Sequence, residues 1–180
     1  MTGTVAVRAA FGQDGGMPHE DEVDRIVAAW GRQRDDLDFA PLQVLSRVDR
    51  LARHLDRARR AAFDASGMEP WEFDVLSALR RAGAPYELSP KTLLQQTLVS
   101  SGTMTNRVDR LTARGLVARR TDPKDGRGIL VSLTDAGRSA VDSAIADLLG
   151  AERDILSGVS DDEQDQLAGL LRRLILGLGD

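Results

Sequence analysis

The stretch from Ser100 to Arg127, SSGTMTNRVDRLTARGLVARRTDPKDGR, restricts the fold more than any other part of the chain. At about 100° per residue, Met104, Val108 and Leu111 fall on one helical stripe, with Thr103, Asn106, Arg110 and Arg114 on a polar arc beside it. Such a helix docks by one side and shows a cationic surface on the other. Ser100 or Ser101 is placed to cap its start, and Gly115, after Arg114, to end it in a left-handed conformation. An alternating run from Leu116 to Arg120 follows, then the turn-forming Asp122-Pro123-Lys124-Asp125-Gly126, then a second run from Gly128 to Leu133. The order predicts a helix feeding a β-hairpin.

Charge singles out the same stretch. Residues 100–128 hold seven cations (Arg107, Arg110, Arg114, Arg119, Arg120, Lys124, Arg127) against three anions (Asp109, Asp122, Asp125), a net of +4 in a chain whose net charge is −4. A basic island in an acidic chain is the footprint of a local phosphate-binding surface. It also argues against a protein that coats nucleic acid or membrane over its whole surface.

The flanking sequence supplies the rest of the architecture. Residues 1–19 are rich in Gly and small residues, so a flexible N-terminus is expected there. From Glu20, Val23, Ile26, Val27 and Trp30 recur at helical spacing. Asp35 to Asp38 interrupts the pattern, and Pro41 suits the first turn of another helix, with Leu45, Val48, Leu51 and Leu55 as its stripe. Arg47, Arg50, Arg53 and Arg57 are expected on a solvated or partner-facing surface. Gly67 closes that helix. Pro70 opens the next, in which Phe73, Leu76 and Leu79 point inward before Gly83 and Pro85 stop it. Ser89-Pro90 caps a short helix, Lys91 to Gln96, carrying Leu93 and Leu94.

Three helices, the last basic, followed by a hairpin make a winged helix-turn-helix. Beyond it, Thr134 caps a long helix, about Asp135 to Leu156, with Val141, Ile145, Leu148 and Leu149 on one side. Ser160 and Glu163 form a capping box for a last helix. Its Leu167, Leu170, Leu171, Leu174, Ile175 and Leu178 are too many for a lone surface helix, which points to a subunit interface. The expected fold is mainly α with a small β-hairpin wing, flanked by N- and C-terminal dimerisation helices. The expected segments are 1–19, a flexible start; 20–66, an added helix and a dimerisation helix; 67–134, the winged helix-turn-helix; and 135–180, C-terminal dimerisation helices.

Other classes of function find little support. Cysteine is absent, which excludes disulfides and Cys-based zinc sites. His19 and His54 lack spacing partners for a metal, and no phosphate-loop spacing or nucleophile motif occurs, so neither enzyme activity nor a cofactor is expected. No span of about 20 apolar residues crosses a membrane and no signal core leads the chain, which predicts a cytoplasmic location.

At this point the residues resemble a known family. Ser101 to Leu111, Arg114-Gly115-Leu116-Val117 and Asp122 to Arg127, together with Leu133-Thr134 and Gly137, look like the MarR family of bacterial transcriptional regulators. The resemblance implies a homodimer that binds double-stranded DNA with one winged helix per subunit. It places the family's wing Asp and Arg on Asp125 and Arg127, the Arg entering a minor groove and the Asp orienting it. Ser101, Thr103, Asn106 and Arg110 are then the candidates for bases and nearby phosphates, with Lys124 beside Arg127 in the wing.

The added helix bearing Trp30 is similar to that of a smaller branch, the urate-responsive, PecS-like regulators. Their ligand is held by a Trp, an Asp and an Arg at positions matching Trp30, Asp74 and Arg107. The chemistry is sound independently of the family. Arg107 sits about 60° from the apolar stripe, where a half-buried guanidinium needs a carboxylate or an anion. Trp30 offers a flat face to a purine. As a plain packing residue, or as a structural Asp74–Arg107 ion pair, each has a simpler role, and only the three together favour a site for a small anionic effector such as a urate-like purine or a carboxylate. The expected function is therefore a DNA-binding repressor released by such a ligand. The alternatives are an effector-independent regulator, or a winged helix that binds a protein or RNA.

Overall fold

The computed structural model describes residues 20–179 apart from Leu98, Lys124 and Arg127; the expectation for residues 1–19 lies outside them. The chain divides into two compact units, one up to Leu51 and one from Ala52 onward. The division falls inside a helix, whereas the sequence reading separated 20–66 from 67–134. Phe63 accounts for part of this, since it is buried with Met68 and Phe73 in the core of the second unit.

In the first unit, α1 (Glu22–Gln33) begins at Asp21, whose carboxylate accepts from the backbone N–H groups of Val23 and Asp24 while Asp24 returns a bond to the Asp21 N–H. Two orphan donors are thereby satisfied. After the interruption at 34–39, α2 (Ala40–Ala65) starts beside Asp38, which accepts from the Ala40 N–H. Two of its arginines, partly exposed as a surface position requires, also find partners on α1. Arg47 bonds both Asp21 and Asp24 at 2.8 Å, and Arg50 bonds Glu22 at 2.6 Å. The acidic first turn of α1 draws them in.

The second unit carries the core. Gly67, at φ +60°, turns the chain out of α2 and into α3 (Pro70–Arg81), whose Phe73, Val75, Leu76, Ala78 and Leu79 are buried. Phe63 stacks on Phe73 with ring centroids 4.5 Å apart. Then come β1 (Glu87–Leu88), α4 (Pro90–Thr97), α5 (Ser101–Ala113), β2 (Val117–Thr121), β3 (Ile129–Leu133), α6 (Asp135–Leu156) and α7 (Asp161–Leu178). Each helix start falls within a residue or two of the expected one.

The wing is larger than the predicted hairpin. β3 pairs antiparallel with β2, Arg119 opposite Val131, and on its other edge with β1, Leu88 opposite Val131, in the order β1-β3-β2. A strand of two residues, one of them Glu87, has no alternation to read. It forms because β3 offers it an edge.

At the root of the wing, Thr134 caps α6 by accepting from the Gly137 N–H at 3.0 Å and donates to the Gly115 carbonyl at 2.7 Å. A Cβ on Gly137 would lie 1.9 Å from the Leu116 carbonyl oxygen, so only glycine permits this approach. The expected stripe of α6 is split. Val141, Ala144 and Leu148 are buried, while Ile145 and Leu149 stay exposed because they lie around the helix edge from them. In α7 no residue is buried, and Leu167, Leu170, Leu174, Ile175 and Leu178 are all exposed. Among the described residues no helix is long and apolar enough to cross a membrane.

Candidate nucleic-acid interface

The docking of α5 follows from its sequence. Ser100 is the N-cap, accepting from the Thr103 N–H, and Gly115 at φ +69° ends the helix after Arg114. Met104, Val108 and Leu111 are fully buried against the domain core. Burial of this stripe, each side chain contributing on the order of 1.5–3 kcal/mol, fixes the rotation of the helix. Ser101, Thr103, Asn106 and Arg110 are consequently turned to solvent, as the projection required.

The start of α3 lies alongside this exposed surface. Arg107, half-buried, and Arg110 place their guanidinium carbons 5.5 and 4.7 Å from the centre of the Trp71 ring. Glu69 accepts from the Trp71 indole N–H at 2.8 Å and from Arg110 at 3.3 Å. Glu69, Trp71, Gly102, Thr103, Asn106, Arg107 and Arg110 line an open cleft of about 540 Å³. Sequence reasoning passed over Glu69 and Trp71; the only signal was their place beside Pro70, where a helix start exposes its first side chains.

The other cations of the basic stretch are mostly engaged. Arg114, expected on the cationic arc, instead donates to Glu72, which is 1% exposed, and to the Gly67 carbonyl at 3.0 Å. Glu72 also accepts from the Glu69 N–H, so this buried carboxylate caps α3 and ties the end of α5 to it. Arg119 pairs with Asp109 at 2.6 Å and Arg120 with Glu87. In the turn of the wing, the Asp122 N–H donates to the Gly128 carbonyl and the Gly128 N–H to that of Asp125. Asp125 is exposed, and Lys124 and Arg127 lie outside the described residues.

The three candidate ligand residues have separate surroundings. Trp30, 51% exposed, stacks on Phe39 at 6.1 Å and borders a shallow apolar recess with Ile26, Ala29 and Gln33. Asp74 is exposed on α3. The simple Asp74–Arg107 ion pair does not form among the described residues: Arg107 meets the face of Trp71, three residues before Asp74 on the same helix. An aromatic face serves a half-buried guanidinium in place of a carboxylate.

A helix N-capped by serine, seated by three apolar residues and presenting hydroxyl, amide and guanidinium groups next to a three-stranded wing has the form of a DNA-reading element. Comparison with known proteins agrees with it. The model of the MarR family matches residues 66–128. The HTH-type transcriptional regulator PecS of Dickeya dadantii is 36% identical over 153 residues, covering 85% of this chain and 92% of PecS. The chain belongs to the MarR family of transcriptional regulators.

Solved structures carry the same fold. A point mutant of Escherichia coli MarR complexed with operator DNA superposes with a TM-score of 0.62 at 25% identity, over 77% of this regulator and 99% of that chain. The Bordetella bronchiseptica regulator BpsR, whose DNA binding is regulated by 6-hydroxynicotinic acid, superposes with a TM-score of 0.55 at 29% identity, over 71% and 98%. Like the rest of its family, this regulator binds DNA and is not an enzyme.

Proposed function

We propose that this regulator is a cytoplasmic repressor that holds a pseudo-palindromic operator as a homodimer and is released from it by a small anionic effector, a urate-like purine or a related carboxylate. The observation that carries the DNA half is the outward face of α5. Ser101, Thr103, Asn106 and Arg110 stand exposed on a helix whose opposite side is locked into the core. These four read base edges or adjacent phosphates, while Lys124, Asp125 and Arg127 serve the wing. The exposed leucines of α7 support the dimer, since a monomer has no reason to leave such a stripe in water. In this reading 20–66 and 135–180 serve assembly and 67–134 serves DNA.

The effector half names Trp30, Asp74 and Arg107. Its support is that Arg107 has no carboxylate partner among the described residues, that the Trp30 ring is half exposed, and that BpsR answers to a planar aromatic acid. The test is a gel-shift titration of wild type and Trp30→Ala with urate, xanthine and aconitate. Wild-type affinity should fall roughly 5- to 150-fold with the right anion, the usual size of an allosteric coupling. Trp30→Ala should keep its DNA affinity and lose the response. If no anion at millimolar concentration (on the order of the weakest useful affinity) releases wild type, the effector half fails and the DNA half stands.

A further inference from the structure

Glu69 and Trp71, packed against α5, bear on how Arg110 reaches DNA. Its guanidinium and that of Arg107 rest over one indole ring, and the ring is itself held in place by the bond from its N–H to Glu69. Long arginine side chains ordinarily lose rotamer freedom when they bind. A shelf that already orders Arg110 removes part of that cost.

We propose that Trp71 is a positioning residue of the DNA interface, which holds Arg110 in readiness, and that Glu69 is a resident counter-charge which the DNA phosphate displaces from Arg110. This rests on the reading of Arg110 as a DNA contact. Glu69 and Arg110 are both exposed and 3.3 Å apart, so the pair is weak enough to exchange for a phosphate. Thr103 and Asn106 line the same cleft, which puts the shelf within the surface proposed to read the duplex.

Two kinds of variant then act in opposite directions. Trp71→Leu removes the π-face and should weaken binding about twofold to tenfold, the cost of ordering Arg110 afresh. Trp71→Phe keeps a face for the cations and should retain most of the affinity. Glu69→Gln removes the competing carboxylate and should tighten binding about twofold to fivefold, the size of an exposed ion pair.

The experiment measures dissociation constants of wild type, Trp71→Leu, Trp71→Phe, Glu69→Gln and Arg110→Ala over a series of KCl concentrations, on a duplex enriched by the wild-type protein from a randomised pool. Thermal melts of each variant identify any loss due to unfolding, and Trp71→Phe carries the comparison if the leucine variant is unfolded. Arg110→Ala should weaken binding and reduce the salt slope by about one phosphate contact. If it does so while Glu69→Gln and both Trp71 variants bind as wild type does, the shelf is overturned and the interface survives. Glu69→Gln binding more weakly than wild type, or Trp71→Phe as weakly as a folded Trp71→Leu, likewise overturns the shelf. An unchanged Arg110→Ala overturns the interface and the shelf together.

Discussion

The segment before residue 52 and the winged domain after it use the same chemical pair, arginine with carboxylate, in opposite settings. In the first, Arg47 bridges Asp21 and Asp24 with all three side chains at least a third exposed. The Arg47 guanidinium, helped by the backbone N–H groups of Asp24 and Val23, holds the Asp21 carboxyl below its usual range. In the second, Arg114 reaches a carboxylate that is almost fully buried, that of Glu72. An exposed pair competes with hydration and is screened by salt, so it orients a helix cheaply and lets it go easily. A buried carboxylate left alone has no such recourse. The apolar packing differs in the same sense: Val23 is the single buried residue of α1, whereas α3 buries five apolar side chains.

The comparison breaks first at the root of the wing. Gly137→Ala forces a methyl group into the Leu116 carbonyl and should cost at least about 3 kcal/mol, seen as a large fall in Tm with no counterpart among single substitutions in α1. Next in size is Arg114→Ala. It strands a buried carboxylate and should cost about 3 kcal/mol by urea denaturation. Glu72→Gln should cost clearly less, because Arg114 is partly exposed and can turn to water. Equal costs for the two would show that the pair is not asymmetric in the way its burial implies.

The smallest effects belong to the exposed pair. Arg47→Ala should leave the Tm of the winged domain unchanged while speeding hydrogen exchange of the α1 amides, and molar salt should do the same to wild type. The pH dependence has a definite sign. Since the Asp21 pKa is depressed in the folded chain, its contribution is present above the ordinary carboxylate range near 4 and is lost as pH falls below it. NMR shifts of the α1 amides should therefore move on acidification below that range, and in Arg47→Ala they should move at a higher pH, nearer to it. Identical titrations in the two proteins would remove Arg47 as the cause.

Most of the fold was legible in the residues because its signals are local. The cap at Ser100, the stop at Gly115, the cap at Thr134 and the box of Ser160 with Glu163 each involve groups within a few positions of one another, and each is found in the structure. The face of α5 was legible for the same reason, since helical periodicity alone decides that Met104, Val108 and Leu111 point one way and Thr103, Asn106 and Arg110 another. What a local count cannot contain is the partner that arrives from elsewhere. Arg110, Arg114 and Arg120 meet carboxylates 41, 42 and 33 residues away, so three of the cations that made the stretch look strongly basic are compensated in space. Trp71 becomes a shelf for Arg107 only because α3 and α5 pack on one core, and β1 exists only because β3 leaves an edge beside it. Capping and periodicity act over one or two turns of chain and are written in the sequence; charge pairing, aromatic stacking and strand pairing act through a few ångströms of space, and packing alone decides which residues come that close.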